Sequence, residues 1–217
     1  MFEYKGVKIS WLGHSAFRIR NSKVIYIDPF QIKAAVPADI ILITHEHYDH
    51  CNVDDVRKVL KANTVIVTTA AAQDKLRTIN VEFLLVVPGK SYSIDGVKVE
   101  AVPAYNINKF RSPGILYHPE KDNKVGFIIT MEGVRIYHAG DTDLIPGLEE
   151  KVKNIDIALV PVSGTYVMTA EEAAEAVNKI NPKIAIPMHY GAIVGNERDA
   201  YKFEKLAKCK VEILEKE

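Results

Sequence analysis

The sequence predicts an α/β protein in four layers, with two mixed β-sheets packed face to face and helices outside. Three observations lead there. Short apolar runs recur along the chain, and some, such as Ile40-Ile41-Leu42-Ile43, are apolar on both faces and need cover on both sides. Capped helical stretches alternate with strands in a βαβ rhythm near both ends of the chain. The middle is strands and tight turns instead. A doubly wound single sheet fits the last third equally well.

Taken in order, Val7 to Leu12, Ala16 to Ile19, Val24 to Ile27 and Ile40 to Ile43 read as strands, each ending in polar residues. Asn52 can cap a helix running to about Ala62. Thr64 to Thr68 is a further strand, and Ala70 to Arg77 a short helix. From Leu84 to Val102 the turn signals are Pro88-Gly89 and Asp95-Gly96, the second suited to a hairpin. Val125 to Thr130 and Val134 to Tyr137 are strands joined through Glu132-Gly133, and Ala139-Gly140-Asp141-Thr142 is the loop that follows. After strand Ile157 to Val160, Thr169 and Glu172 have capping-box spacing at the start of a helix. Ala170, Ala173, Ala174, Val177 and Ile180 form its apolar face, and Pro182 lies just beyond it. Strand Ile184 to Ile186, a helix from about Glu197 to Ala207 and strand Val211 to Leu214 complete the chain.

With 217 residues and no linker-like segment, one domain across 1–217 is expected. Hydrophobic residues at 47% and charged residues at 26% exclude a disordered or fibrous chain. Lysine plus arginine (28) equal aspartate plus glutamate (28), so no net field draws the protein to nucleic acid or an anionic membrane. Cys51 and Cys209 form no CxxC or disulfide pattern and are read as reduced thiols. No apolar run approaches the roughly 20 residues that span a bilayer, and no secretory leader is evident. A cytoplasmic protein acting on a small molecule is the expectation, with homo-oligomerisation left open.

The chemistry concentrates in His45-Glu46-His47-Tyr48-Asp49-His50. Directly after a buried strand, His45, His47, Asp49 and His50 offer imidazole nitrogens and a carboxylate, donors suited to zinc and related divalent ions. A merely polar loop explains such density poorly. Adjacent Asp49 and His50 cannot easily serve one tetrahedral ion together with both earlier histidines, so two neighbouring metal sites are expected. Asp141 and His189 also follow apolar strands, where ligands converge at one edge of a sheet.

The run resembles the HxHxDH signature of the metallo-β-lactamase superfamily. Ile27-Asp28-Pro29, Ala139-Gly140-Asp141-Thr142 and Pro187-Met188-His189-Tyr190-Gly191 agree with that resemblance. It implies the αββα sandwich of the metallo-β-lactamase fold, with His45 and His47 on one metal, Asp49, His50 and His189 on the other, and Asp141 bridging. Within the superfamily, Gly13-His14-Ser15-Ala16-Phe17, Val102-Pro103-Ala104-Tyr105-Asn106 and Gly140-Asp141-Thr142-Asp143 are most similar to the ascorbate 6-phosphate lactonase-like group. Phosphodiesterases such as N-acylphosphatidylethanolamine phospholipase D share this resemblance. One departure stands out. Many members place a third histidine for the first metal where this chain has Ala104-Tyr105-Asn106. His14, His118, Asn106 or water could fill that place.

The implied activity is hydrolysis of a small phosphorylated, lactone or ester-like metabolite by metal-activated water. Phosphodiester cleavage on a nucleotide or lipid head group is the close alternative, and a non-catalytic metal-binding module the remote one. Asp49 is assigned both ligand and catalytic roles. Asp28 is expected to hold a ligand histidine, and His14, Tyr105 or His118 to contact the substrate. One or two divalent ions per chain are implied, with zinc favoured and manganese or iron accepted by the same donors. Cys51 is read as a small buried side chain, not a sulfur ligand.

Overall fold

Lys5 and Gly6 both adopt left-handed backbone and close the first hairpin of the computed structural model, which describes residues 1–33 and 36–217. The chain forms two compact units, Met1–Val86 with Leu214–Glu217, and Val87–Ile213.

The first unit holds a seven-stranded sheet whose spatial order is the chain order: β1 (Phe2–Tyr4), β2 (Val7–Gly13), β3 (Ala16–Arg20), β4 (Val24–Ile27), β5 (Ile40–Ile43), β6 (Val65–Thr68) and β7 (Glu82–Leu85). β1 to β4 pair antiparallel through short connections, and β4 to β7 pair parallel. Parallel pairing needs crossovers. Between β5 and β6 runs α1 (Val53–Val59), and between β6 and β7 runs α2 (Ala70–Lys75). Every residue of β5 is buried, and Ile41 and Ile43 join Val56, Val59 and Ile66 in one apolar cluster. Both helices are capped as the residue types dictate: Asn52 accepts from the Asp55 amide and Thr69 from the Ala72 amide. The helix expected to reach Ala62 ends at Val59 instead, because Thr64 closes a turn: the Lys61 amide donates to Thr64 Oγ1, which donates to Ala38 O. Likewise α2 stops at Lys75, short of Arg77.

The second unit repeats this plan. Its seven-stranded sheet has the order β16-β15-β14-β13-β12-β9-β8, from β8 (Ser91–Ile94), β9 (Val97–Pro103), β12 (Val125–Met131), β13 (Val134–His138), β14 (Ile157–Pro161), β15 (Ile184–Met188) and β16 (Lys210–Val211). β8, β9, β12 and β13 are antiparallel, and β13 to β16 parallel. The hairpins turn at Asp95-Gly96 and Glu132-Gly133, all four in left-handed backbone. α4 (Ala170–Ile180) carries the full capping box of Thr169 and Glu172 and buries Ala170, Ala173, Ala174, Val177 and Ile180. It packs on β14 and on α5 (Glu197–Leu206). The last strand is shorter than the expected Val211 to Leu214, since Leu214–Glu217 joins the first unit, where the Glu217 amide donates to Trp11 O.

Two seven-stranded sheets, not one doubly wound sheet, therefore carry the fold. Several small elements went unread in the sequence, among them β1, α3 (Leu148–Lys151) and the ribbon of β10 (Phe110–Ser112) and β11 (Ile115–Leu116). Among the described residues no helix is long and apolar enough to cross a membrane.

Gly126 of β12 shapes the start of a functional loop. A Cβ there would lie 2.5 Å from Ala139 O and 2.6 Å from His138 O, backbone atoms that cannot swing away. Gly126→Ala is expected to cost about 3 kcal/mol or more. For a chain of this size that lowers Tm by roughly 6–12 °C, read by thermal denaturation followed by circular dichroism.

Candidate metal centre

In each unit, ligand-type side chains gather after the carboxyl ends of parallel strands. β4 delivers Asp28, β5 the run from Thr44 to His50, β13 the loop with Asp141, and β15 His189. That is the edge at which open α/β sheets place their ligands.

In the first unit the organising group is Asp28, fully buried. Its Oδ1 accepts the Thr44 amide at 2.8 Å, and its Oδ2 accepts the Thr44 hydroxyl at 2.6 Å and His50 Nδ1 at 2.8 Å. A carboxylate only accepts, so His50 Nδ1 carries hydrogen and its Nε2 presents the lone pair. Thr44 gives its one hydroxyl hydrogen to Asp28 and can only accept from His45 Nδ1, 3.0 Å away. His45 is thereby set in the same tautomer. One buried carboxylate orders two histidines of the motif, one directly and one through Thr44.

His45 Nε2 lies 3.1 Å from His47 Nδ1, and the His45 and His50 rings are 4.1 Å apart. His14 Nε2 lies 3.0 Å from Asp49 Oδ2, and His50 Nε2 3.7 Å from the same oxygen. One ligand atom each from His14, Asp49 and His50 falls within 4.8 Å of the others. His14 is placed by the bend between β2 and β3, where Gly13 and His14 both have positive φ and Trp11 Nε1 donates to His14 O. Asp28 and His189 share this left-handed backbone (φ 44° and 61°), an unfavourable state for such residues that concentrates at functional sites.

In the second unit Asp141 Oδ2 lies 3.4 Å from His118 Nε2 and 3.3 Å from His189 Nε2. Ser163 Oγ holds His189 Nδ1 at 3.0 Å. Asn106 is buried and bonds to His118, whereas Tyr105 contributes its backbone, the amide donating to Thr142 Oγ1 at 3.2 Å and the carbonyl accepting from Asp143 N at 2.9 Å. Partial burial, with the charge of Glu120, holds the Tyr105 phenol above its ordinary pKa. His118, a candidate for the missing histidine's place, is buried beside Asp141.

Thr44, Asp143 and Ser163 were not singled out from the sequence, although each follows an apolar strand in the placement that flagged Asp141. His138 is buried and its Nδ1 accepts the Gly140 amide at 3.2 Å. Cys51 is buried, with Sγ 3.6 Å from Ala72 O and a thiol pushed up to about 12 by burial. A buried, protonated thiol is no ready ligand.

Residues 8–189 match the model of the β-lactamase superfamily domain, with this histidine run inside the match. The chain belongs to the metallo-β-lactamase superfamily. It is similar to UPF0173 metal-dependent hydrolases, among them that of Thermococcus onnurineus, at 36% identity over 96% of this chain and 95% of the relative. The hydrolase of Archaeoglobus fulgidus is 33% identical over 94% of this chain and 92% of its own. Among solved structures, a Parabacteroides distasonis protein aligns with TM-score 0.84 and 34% identity over 96% of this chain and 94% of that one. Igni18, a metallo hydrolase of Ignicoccus hospitalis, aligns with TM-score 0.76 and 25% identity over 96% of this chain and 95% of its own. The metallo-β-lactamase fold is thus established, and the chain is an enzyme of that superfamily, a metal-dependent hydrolase.

Proposed function

We propose that the chain hydrolyses a small phosphorylated, lactone or ester-like metabolite with a divalent metal centre. The observation that carries the reading is the Asp28 network, which presets His45 and His50 with Nε2 lone pairs, the form in which imidazole binds metal. The donors fit the group: neutral imidazoles with carboxylates suit zinc first, and manganese or iron as well. By resemblance to the superfamily signature, the proposed ligands are His45 and His47 for one ion, Asp49, His50 and His189 for a second, and Asp141 for both. His118, beside Asp141, is the residue of choice for the place of the missing third histidine. One catalytic domain across 1–217 and a cytoplasmic location complete the reading.

A bound divalent ion would lower the pKa of water from about 15.7 to near 7 and polarise the bond under attack. Asp49 orients the attacking water and takes its proton, with Oδ2 steadied by His14 Nε2 at 3.0 Å. Tyr105, at the start of the loop that holds Asn106, is the proposed contact for the substrate's polar head. The resemblance to the ascorbate 6-phosphate lactonase-like group favours a lactone or sugar-phosphate substrate. A phosphodiester on a nucleotide or lipid head group is the second reading, favoured by the resemblance to phosphodiesterases such as N-acylphosphatidylethanolamine phospholipase D, which carry related loops.

The test is metal analysis of protein purified without added metal, followed by assays on a lactone panel and bis-p-nitrophenyl phosphate before and after chelation. The expected result is bound divalent metal and turnover that chelation abolishes and zinc or manganese restores. Turnover of lactones alone or of the diester alone selects the substrate class. Metal-independent rates, or no turnover on either, would overturn the proposal.

A further inference from the structure

The Asn106 carboxamide is oriented by partners whose hydrogen-bonding character cannot change. The backbone amide of His118 only donates, and it lies 2.9 Å from Asn106 Oδ1. The Tyr166 carbonyl only accepts, and it lies 2.9 Å from Nδ2, which also lies 3.2 Å from Asp143 Oδ1. The oxygen therefore faces His118 and the nitrogen faces away. His118 Nδ1 lies 2.9 Å from that oxygen. An amide oxygen has no hydrogen to give, so Nδ1 must carry one, and in the neutral ring the lone pair is then on Nε2, which lies 3.4 Å from Asp141 Oδ2.

We infer that Asn106, held by Asp143, is the positioning residue that fixes neutral His118 in its Nδ1–H tautomer, with the Nε2 lone pair on the side where Asp141 lies. Asn106, His118 and Asp143 are each only 1% exposed, so water does not compete for these bonds. The Asn106 amide also donates to His118 O at 2.7 Å, tying the two ends of the β10–β11 ribbon together. Asp143 Oδ2 accepts the amides of Ile107 at 2.7 Å and Asn108 at 3.1 Å, fixing the strand of chain that leaves Asn106. Lys109 Nζ, 3.4 Å from Asp143 and 2.8 Å from Glu172, balances both carboxylates. A carboxamide is required here: aspartate would keep the acceptor for His118 but place a second carboxylate against Asp143, and alanine would leave the imidazole without its guide. The device offers an imidazole to a chain with Tyr105 where many superfamily members place a histidine, since His118 arrives from the far end of the ribbon. That the aimed lone pair then serves a metal ion rests on the hydrolase reading above.

The experiment is long-range nitrogen–proton NMR on the metal-free, uniformly labelled full chain, which reads each histidine tautomer directly. Wild-type His118 is expected as the Nδ1–H form. Asn106→Ala should shift it toward the Nε2–H form, and Asn106→Asp should keep it at Nδ1–H despite lower stability, a difference that a purely structural role for Asn106 would not produce. Zinc titration of the same proteins should show one ion bound about 10–100-fold more weakly in Asn106→Ala. A ring that carries hydrogen at Nε2 and none at Nδ1 in the wild type, which needs no variant to fold, overturns the inference. So does an unchanged tautomer in Asn106→Ala. The expected tautomers with zinc affinity unmoved by both Asn106→Ala and His118→Ala would uphold the positioning role and overturn only the metal role of His118.

Discussion

Asp49→Ala is expected to lower kcat by on the order of 10²–10⁴-fold or more at saturating metal while the protein stays folded. The carboxylate sits in the loop between β5 and α1, part-exposed at 13%, with Oδ2 3.0 Å from His14 Nε2 and 3.7 Å from His50 Nε2. The backbone holds this loop as well. Backbone bonds from His50 N and Cys51 N to His47 O close its turn, and Asn52 caps the helix that follows. Loss of the hydrogen bond to the buried His14 imidazole costs about 1–3 kcal/mol. Loss of the group that takes the proton bears directly on the transition state. Asp49→Asn separates the roles further: it keeps a polar side chain beside His14 but has no base, so its kcat should fall nearly as far with a smaller change in Tm. Saturating metal matters because Asp49 is also assigned to an ion, and a variant rescued to the parental rate by excess zinc would show a ligand role without a catalytic one. A variant turning over at the parental rate without added metal would sink both.

The strands were legible because their signals are local and redundant. Ile40 to Ile43 is apolar on both faces and bounded by polar residues, and it is β5. Thr169 and Glu172 stand at capping-box spacing, and the box is formed. The motif from His45 to His50 was equally plain, since residue type and spacing are visible without a fold. The arrangement that prepares it was less so. That Asp28 orders two histidines depends on the parallel register of β4 against β5, which sets Ile27 opposite Leu42 and so brings Asp28 to Thr44. Register is a tertiary fact. His118 was the hardest to place, because the β10–β11 ribbon has strands of three and two residues around Pro113-Gly114, too short for any period to show. Its burial comes from Asn106, twelve residues earlier, and so from closure of the ribbon and not from its own neighbours.

Asp28 offers the second large effect, and two substitutions there should fail in different ways. Asp28→Ala removes the acceptor of the Thr44 amide, the Thr44 hydroxyl and His50 Nδ1, all buried. Each donor so stranded costs about 1–3 kcal/mol, so a loss of about 3 kcal/mol or more is expected, large against the roughly 5–15 kcal/mol that hold a domain folded. This variant should be poorly folded as well as inactive. Asp28→Asn keeps the shape but replaces one oxygen with a donor nitrogen. The Thr44 amide still needs the remaining oxygen, which leaves the new amino group facing the Thr44 hydroxyl and His50 Nδ1. His50 must then accept there, which moves its hydrogen to Nε2. Thr44, no longer donating to residue 28, is released to donate to His45 Nδ1, and the second histidine turns over in the same way. Both imidazoles would present N–H where the proposed centre needs a lone pair. The expected outcome is a folded protein with a modest drop in Tm, metal affinity weakened about 10–100-fold or more, and little turnover at micromolar zinc. Calorimetric zinc titration beside thermal denaturation distinguishes the cases. Metal affinity in Asp28→Asn equal to the parent would show that the carboxylate holds the strands together without setting the histidines, and the metal reading of the Asp28 network would fall with it.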